Sequence, residues 1–161
     1  LEAVAGWRTA RVKRPALILG SLDGIETGVR QLVRDQPLET REVNIGGVCL
    51  VVPTESEMLR IKAVLILKRN ATRDYLDFVA LADRMGPDRV FAALADLDRL
   101  YPQPSGESAI QQLQVQLAHP VPYDREQTSL TEYRRLDAKW HNWTHVSQTC
   151  AAIAADTFRR L

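Results

Sequence analysis

The chain has 161 residues, of which 45% are apolar and 25% charged, so it is long enough and apolar enough for a globular core without disulfides or metal. Its 21 basic and 20 acidic residues leave a net charge of +1, which excludes a strong overall attraction to nucleic acid or membrane. No apolar run is long enough to span a membrane and no signal-peptide pattern opens the chain. We therefore expect a cytoplasmic protein with no membrane contact.

The first third of the chain favours short strands and turns. Ala16-Leu17-Ile18-Leu19 is an apolar run closed by Gly20 and Ser21, and a second β-rich stretch runs from Val43 to Val52. Gly46-Gly47 interrupts that stretch and suits a hairpin turn or a bulge. Residues 1–53 are therefore predicted to form a small N-terminal β-sheet.

From Pro53 onward the sequence predicts helices. Thr54-x-x-Glu57 is a capping box that opens the first helix, and Asn70 is a residue type that ends one. We predict further helices at about 72–85, 88–100 and 107–118, with Gly86-Pro87 separating the first two of these. The fold class is thus α+β, with a β-rich region at 1–53 and a helical region at 54–161.

A long amphipathic helix is predicted at the end of the chain. Ser129-x-x-Glu132 is a second capping box, and an apolar stripe follows it at steps of three or four residues. The stripe comprises Tyr133, Leu136, Trp140, Trp143, Val146, Cys150, Ala154, Phe158 and Leu161. An unbroken helix of that length would be ~45 Å long. Cys49 and Cys150 lie in mostly apolar surroundings, and both are expected to be buried thiols.

The charges between Arg60 and Asp77 are segregated in a way that ordinary helices avoid. Five basic residues occur without an acid, and two carboxylates follow at once: Arg60, Lys62, Lys68, Arg69 and Arg73, then Asp74 and Asp77. One explanation is a site for a polyanion beside a metal or a proton acceptor. The other is a pair of helices tied by ion pairs such as Arg73–Asp77 or Arg69–Asp74.

The order Lys62-x6-Arg69-x3-Arg73-Asp74-x2-Asp77, after the segment VPTESEMLRIKA, resembles the C-terminal signature of AbiEii/AbiGii-type nucleotidyltransferases. That family includes the toxins of abortive-infection toxin–antitoxin pairs, and the resemblance covers about residues 43–86. It implies a nucleotidyltransferase fold, bound Mg²⁺ and a nucleoside triphosphate. It also implies an RNA (such as tRNA) or protein acceptor and a cognate antitoxin.

The resemblance further implies a role for each charged residue. Lys62 would bind the triphosphate and act in catalysis, and Asp74 would be the catalytic carboxylate. Arg69 and Arg73 would bind phosphate, and Asp77 would support them. We therefore expect the charged ends of Lys62, Arg69, Arg73 and Asp74 to meet around one partly open concavity.

The chain departs from the family pattern at the metal site. Leu19-Gly20-Ser21 offers the family's turn, but no Asp-x-Asp or Asp-x-Glu pair follows, and Asp96-Leu97-Asp98 falls in a predicted helix. No metal ligand is therefore predicted in this chain, and we expect the metal motif to precede Leu1. The alternative is a non-catalytic helical interaction module on the same scaffold. Asp137, His141 and His145 have metal-ligand spacing, but we interpret them as a polar helix face.

Overall fold

The computed structural model describes residues 3–13, 17–30, 34, 36–133 and 135–161. The chain divides into two compact units, Leu1–Asp35 and Gln36–Leu161. Strands come first and helices follow, so the predicted α+β class is confirmed. The proposed division after residue 53 stays a prediction.

The first unit contains a three-stranded antiparallel sheet. Its strands are β1 (Trp7–Lys13), β2 (Leu17–Leu22) and β3 (Ile25–Arg30), and β2 lies in the centre. Asp23 and Gly24 join β2 to β3 and both have positive φ angles, the conformation that a tight hairpin turn requires. The predicted apolar strand thus forms from Leu17 onward, while Ala16 lies outside the described residues.

The second unit opens with a two-stranded hairpin of β4 (Thr40–Ile45) and β5 (Val48–Pro53). Gly46 and Gly47 connect the strands at φ angles of 59° and 84°, so the predicted turn is confirmed. The register places Val43 opposite Leu50 and Ile45 opposite Val48. Because alternate residues share a face, these four side chains and Val52 form one apolar face, which is partly or largely exposed.

Six α-helices follow the hairpin. They are α1 (Glu55–Arg69), α2 (Thr72–Met85), α3 (Pro87–Ala95), α4 (Leu97–Leu100), α5 (Ala109–Ala118) and α6 (Trp143–Arg160). Short 3₁₀ turns occupy Leu130–Glu132 and Ala138–His141. Among the described residues, no helix combines the length and apolar character that crossing a membrane would require.

The ends of the first two helices lie where the sequence predicts them. Thr54 Oγ1 accepts a hydrogen bond from Glu57 N at 3.2 Å and opens α1. Asn70 adopts the left-handed conformation (φ 48°) and closes it. Gly86, at φ 80°, ends α2, and Pro87 begins α3. Local capping chemistry therefore determines these boundaries.

The predicted long C-terminal helix is wrong. The Ser129 side chain makes no capping bond to the backbone and contacts the Thr131 hydroxyl instead, so only a 3₁₀ turn forms there. The α-helix begins after Asn142, whose Oδ1 accepts from His145 N. The apolar stripe is therefore carried by a turn, a loop and one shorter helix, because side-chain caps within the segment end and restart the helical backbone.

Buried side chains from all six described α-helices form the core of the second unit. Its largest fully buried side chains include Tyr75, Phe78 and Leu59. Cys150 lies in this core and burial raises the pKa of its thiol to about 12. Cys49 lies on β5 and is exposed, so the prediction of a second buried thiol is wrong.

Candidate functional site

The corner between α1 and α2 is built around the left-handed Asn70. The Asn70 Oδ1 accepts from the Tyr75 hydroxyl at 2.6 Å, and its Nδ2 donates to the Val121 carbonyl at 2.8 Å. Burial is the main cause that raises the pKa of Tyr75 to about 12, so this hydroxyl remains a donor across the neutral range. The predicted break between the helices is therefore a rigid corner.

Asp124 caps the second helix from a distant loop. Its Oδ1 accepts from the Thr72 backbone N–H at 2.7 Å and from the Thr72 hydroxyl at 2.8 Å. Burial by itself would raise the pKa of Asp124, but these hydrogen bonds outweigh it and hold the pKa below its ordinary value. The free N–H groups and the dipole of α2 thus already have an internal anionic partner.

The predicted catalytic carboxylate Asp74 is bound by Arg69. Arg69 Nε and Nη2 donate to Asp74 Oδ2 and Oδ1 at 3.0 and 2.8 Å, which is the two-pronged geometry of an arginine–carboxylate pair. The Asp74 side chain is 0% exposed, whereas that of Arg69 is 43% exposed. Asp74 therefore has no surface through which to reach a substrate, and the pair links the end of α1 to the start of α2.

Lys62 and Arg73 share the other carboxylate. Lys62 Nζ lies 2.6 Å from Asp77 Oδ2, and Arg73 Nε lies 3.7 Å from the same oxygen. This second cluster again joins α1 to α2. Lys62 and Asp77 line a groove of about 300 Å³, and Arg73 and Asp77 line another of about 350 Å³. Arg69 and Asp74 line neither groove, so the predicted residues form two separate ion-pair clusters.

These contacts match the structural explanation of the charged segment. Each predicted phosphate-binding cation lies against an aspartate of α2. The pairs of Lys62 and Arg69 tie α1 to α2, whereas Arg73 pairs with Asp77 four residues along the same helix. The roles in catalysis and in binding a nucleotide depended on the family resemblance. They stay predictions, without a contact in the structure that supports them.

Sequence analysis missed a buried polar network at the start of α1. Glu57 is fully buried, and its carboxylate accepts from the Tyr101 hydroxyl at 2.9 Å and from Arg60 Nη1 at 3.4 Å. Arg60 also donates to Glu39 at 2.9 Å and to the Ala93 carbonyl at 2.8 Å. The hydrogen bond from Arg60 is the largest cause that lowers the pKa of Glu39.

The network changes the interpretation of the capping box. Glu57 contributes its backbone N–H to the cap, but its carboxylate points to the network and not back to the helix start. The signal available in the sequence was a glutamate and an arginine three positions apart on the apolar side of α1. Its partners Tyr101 and Ala93 are distant in sequence, and only the fold identifies them.

The described residues contain no cluster of three or more His, Cys, Asp or Glu side chains that could hold a metal. Asp137 accepts from Lys139 N and opens a 3₁₀ turn, and the His145 ring lies 5.1 Å from that of Trp140. These two side chains therefore have structural contacts. The Mg²⁺ that the resemblance implies has no fitting set of donor atoms among the described residues.

Two further grooves lie between helices of the second unit. One, of about 390 Å³, is lined by parts of α2, α3 and α6 and includes Phe91 and Ile153. The Arg160 guanidinium lies 5.5 Å from the centre of the Phe91 ring, where a cation interacts with the aromatic face. The other, of about 880 Å³, lies along α5 and α6 and includes Val115, Phe158 and Leu161.

The curated proteins that this chain resembles are named as transport, uptake or export proteins. The chain is 37% identical over 124 residues to the "Heme uptake protein MmpL11" of Mycobacterium tuberculosis, a match that covers 75% of this chain and 12% of that protein. It is 34% identical over 124 residues to the "Mycolic acid-containing lipids exporter MmpL11" of Mycolicibacterium smegmatis, covering 75% and 13%. The "Probable transport protein MmpL11" of Mycobacterium leprae is also 34% identical, over 125 residues.

This chain spans about one eighth of the length of these curated relatives. No family model matches it, and no solved structure matches it. The resemblance to AbiEii/AbiGii-type nucleotidyltransferases is wrong, because the curated proteins that align with three quarters of this chain are named as transport proteins. The nucleotidyltransferase and toxin–antitoxin functions are corrected with it. The run of charges at helical spacing belongs to a pair of helices tied by ion pairs. Only the family resemblance had suggested nucleotide chemistry for these residues.

Proposed function

We propose that this chain is a domain of an MmpL11-like transport protein. The observation that carries the proposal is the 37% identity over 124 residues with MmpL11 of Mycobacterium tuberculosis. That match covers three quarters of this chain and about one eighth of the relative, which supports a domain of a transporter over a whole transporter.

The described structure supports a role in which the second unit keeps a fixed shape and contacts other parts of the transporter. The cations Lys62, Arg69 and Arg73 neutralise the aspartates of α2, so they stabilise the helix corner. The core is assembled from six helices of the second unit and gives it a defined surface. We infer that this unit is an adaptor of the transporter, and that the grooves between its helices are its contact surfaces.

The printed names of the relatives give two cargoes, heme and mycolic acid-containing lipids. Both are large molecules with extensive apolar parts. Under this proposal the transporter needs the domain in order to move such a cargo. Loss of the domain should therefore stop transport, whether heme or lipid transport is measured.

A domain exchange tests the proposal. A Mycolicibacterium smegmatis strain that lacks its MmpL11 would receive the native protein, a chimera with the matching segment taken from this chain, or a deletion of that segment. Export of mycolic acid-containing lipids and growth on heme would be measured at matched protein levels. We expect the chimera to restore transport and the deletion to fail.

A chimera with Phe78→Asp is the matched control, because a carboxylate at a fully buried core position unfolds the domain and leaves the rest of the transporter unchanged. It should behave like the deletion. The proposal is wrong if the deletion transports as well as the native protein, or if the intact chimera is produced at normal levels and restores neither activity.

A further inference from the structure

Three cations of β1 share one face of the three-stranded sheet in the first unit. Their partners on β2 are every second residue of that strand, and residues two apart in a strand point to the same face. Because paired residues also point to the same side, the three cations point together. This surface, here called the basic face, is set by the pairs Arg8 with Ser21, Arg11 with Leu19 and Lys13 with Leu17.

An irregularity in β1 produces this alignment. In an unbroken strand Arg8 would point away from Arg11, because residues an odd number of positions apart lie on opposite faces. The register shifts between Thr9 and Arg11, and Ala10 has no partner on β2. A bulge of this kind inserts one residue and re-aims the side chains on one side of it. Arg8 is thereby brought to the side of Arg11 and Lys13, so the bulge concentrates positive charge on one face.

The cations of the basic face are available to a partner. All three are exposed, and within the described part of the chain none of them has an ion pair or a side-chain hydrogen bond. Glu26 is on the same face but lies on β3, with β2 between it and the cations. In the second unit, by contrast, Lys62 and Arg69 are neutralised by aspartates. Cations without an internal counter-charge attract an anionic partner.

The other side chains of the basic face distinguish among anionic partners. Leu19 is 39% exposed beside the cations, and Ser21 and Gly28 are small. Surfaces that bind single-stranded nucleic acid stack the bases on aromatic rings, whereas Trp7 is paired with Leu22 on the opposite face of this sheet. The surface of a bilayer presents lipid phosphates to cations and also accepts aliphatic side chains. A flat face of cations and an aliphatic residue fits the bilayer better.

We propose that the basic face binds the anionic headgroups of a phospholipid bilayer. The choice of a bilayer rests on the proposed function, because a domain of a transporter works beside one. The net charge of +1 for the whole chain conceals this face, since acids elsewhere balance its cations. Each lysine or arginine near an anionic bilayer strengthens binding by about fivefold, so three of them give a reversible, salt-sensitive attachment at the surface.

Binding of the 161-residue chain to vesicles tests the proposal. Vesicles of phosphatidylcholine alone are compared, by co-sedimentation at low and high salt, with vesicles that also contain phosphatidylglycerol. We expect binding to the anionic vesicles, weakened by salt, and little binding to the neutral ones. Arg8→Gln, Arg11→Gln and Lys13→Gln should each weaken binding by about fivefold, and the triple variant by at least about fiftyfold.

A second triple variant is the matched control. It replaces Arg41, Lys68 and Arg135 with glutamine and so removes the same charge from exposed residues of the second unit, which also have no ion pair within the described ranges. It should weaken vesicle binding by less than about twofold, because salt screens charges that lie away from the bilayer. All six positions are exposed, so thermal melts of both triple variants should match the wild type.

Equal losses for the two triple variants overturn the proposal, and so does a chain that binds neither kind of vesicle or binds both equally. A chain that binds a single-stranded oligonucleotide through the basic face, and does not bind vesicles, also overturns it, because the partner would then be nucleic acid. Vesicle binding and transport are separate measurements. A chimera that restores transport while the chain fails to bind vesicles would contradict the basic face alone and leave the proposed function standing.

Discussion

The strands and the helices of this chain differ in how far they bury their apolar side chains. Ile25 and Val29 on β3, and Ile45, Val48 and Val51 in the β4–β5 hairpin, are largely exposed. In the helices Tyr75, Phe78 and Leu59 are fully buried. An isolated two-stranded hairpin is only marginally stable in water, whereas the six packed helices form a core. The comparison teaches that most of the stability of the second unit resides in its helices.

The two cysteines give the largest expected contrast between these regions. Cys49 is exposed on β5, and Cys150 lies in the helical core with a pKa of about 12. At pH 8 only about one in ten thousand Cys150 thiols would be ionised, and the thiolate is the reactive form. A thiol reagent should therefore label one site of the native chain quickly, as followed by mass spectrometry.

Cys49→Ser and Cys150→Ser separate the two sites. The first variant should remain unlabelled until denaturant is added, and the second should react like the wild type. Rapid labelling of native Cys49→Ser would show that the helical core opens easily and would contradict the comparison.

Truncation in the core should have the next largest effect. Phe78→Ala removes a fully buried ring and should lower the free energy of unfolding by about 3–5 kcal/mol. Val51→Ala, on the exposed hairpin of the same unit, should change it by less than about 0.5 kcal/mol. Urea unfolding followed by circular dichroism measures both, and similar losses would mean that the hairpin is as important as the core.

The two ion-pair clusters of the α1–α2 corner should differ in their effect on stability, because one is more deeply buried than the other. Arg69→Ala leaves the fully buried Asp74 carboxylate without its cation and should destabilise the unit by about 3 kcal/mol. Arg73→Ala removes a largely exposed partner of Asp77 and should cost less than about 1 kcal/mol. The measurement is again urea unfolding at neutral pH. Equal losses of unfolding free energy for Arg69→Ala and Arg73→Ala would show that burial does not distinguish the two clusters.

The cap from Asp124 should have the smallest effect, and this effect depends on pH. Since the pKa of Asp124 is lower in the folded chain, its ionised form adds stability above its ordinary pKa, and that stability is lost as the pH falls through the folded pKa. Asp124→Asn should cost roughly 1 kcal/mol at pH 7. As the pH falls below the ordinary pKa of this carboxyl, the difference in stability between the wild type and the variant should narrow. A difference that stays constant from pH 7 through the acid range would refute the assignment.

Local signals in the sequence predicted those parts of the fold that local chemistry determines. Thr54, Asn70 and Gly86-Pro87 mark real helix ends, because caps and left-handed turns depend on a few neighbouring residues. The stripe from Tyr133 to Leu161 was misleading, because a helical period records which side chains face the core and not whether the backbone is continuous. Asn142 restarts the helix inside that stripe.

The candidate site could be predicted only in part. The charge order did allow the ion pairs Arg69–Asp74 and Arg73–Asp77, and both are present. It did not identify the pair between Lys62 and Asp77. It could not show that Asp74 is buried, which depends on how α2 packs. The sequence of α5 contains no ionisable residue, but whether that helix faces solvent depends on the tertiary structure.

The hydrogen bonds of the α1–α2 corner can be completed only late in the synthesis of the chain. Asn70 and Thr72 receive hydrogen bonds from, or donate them to, Val121, Tyr123 and Asp124, which lie about fifty residues later. The two helices can form as soon as they leave the ribosome, but their corner stays unfinished until that later loop has emerged. During this interval the N–H groups at the start of α2 face water and lack the carboxylate of Asp124 that later accepts from them.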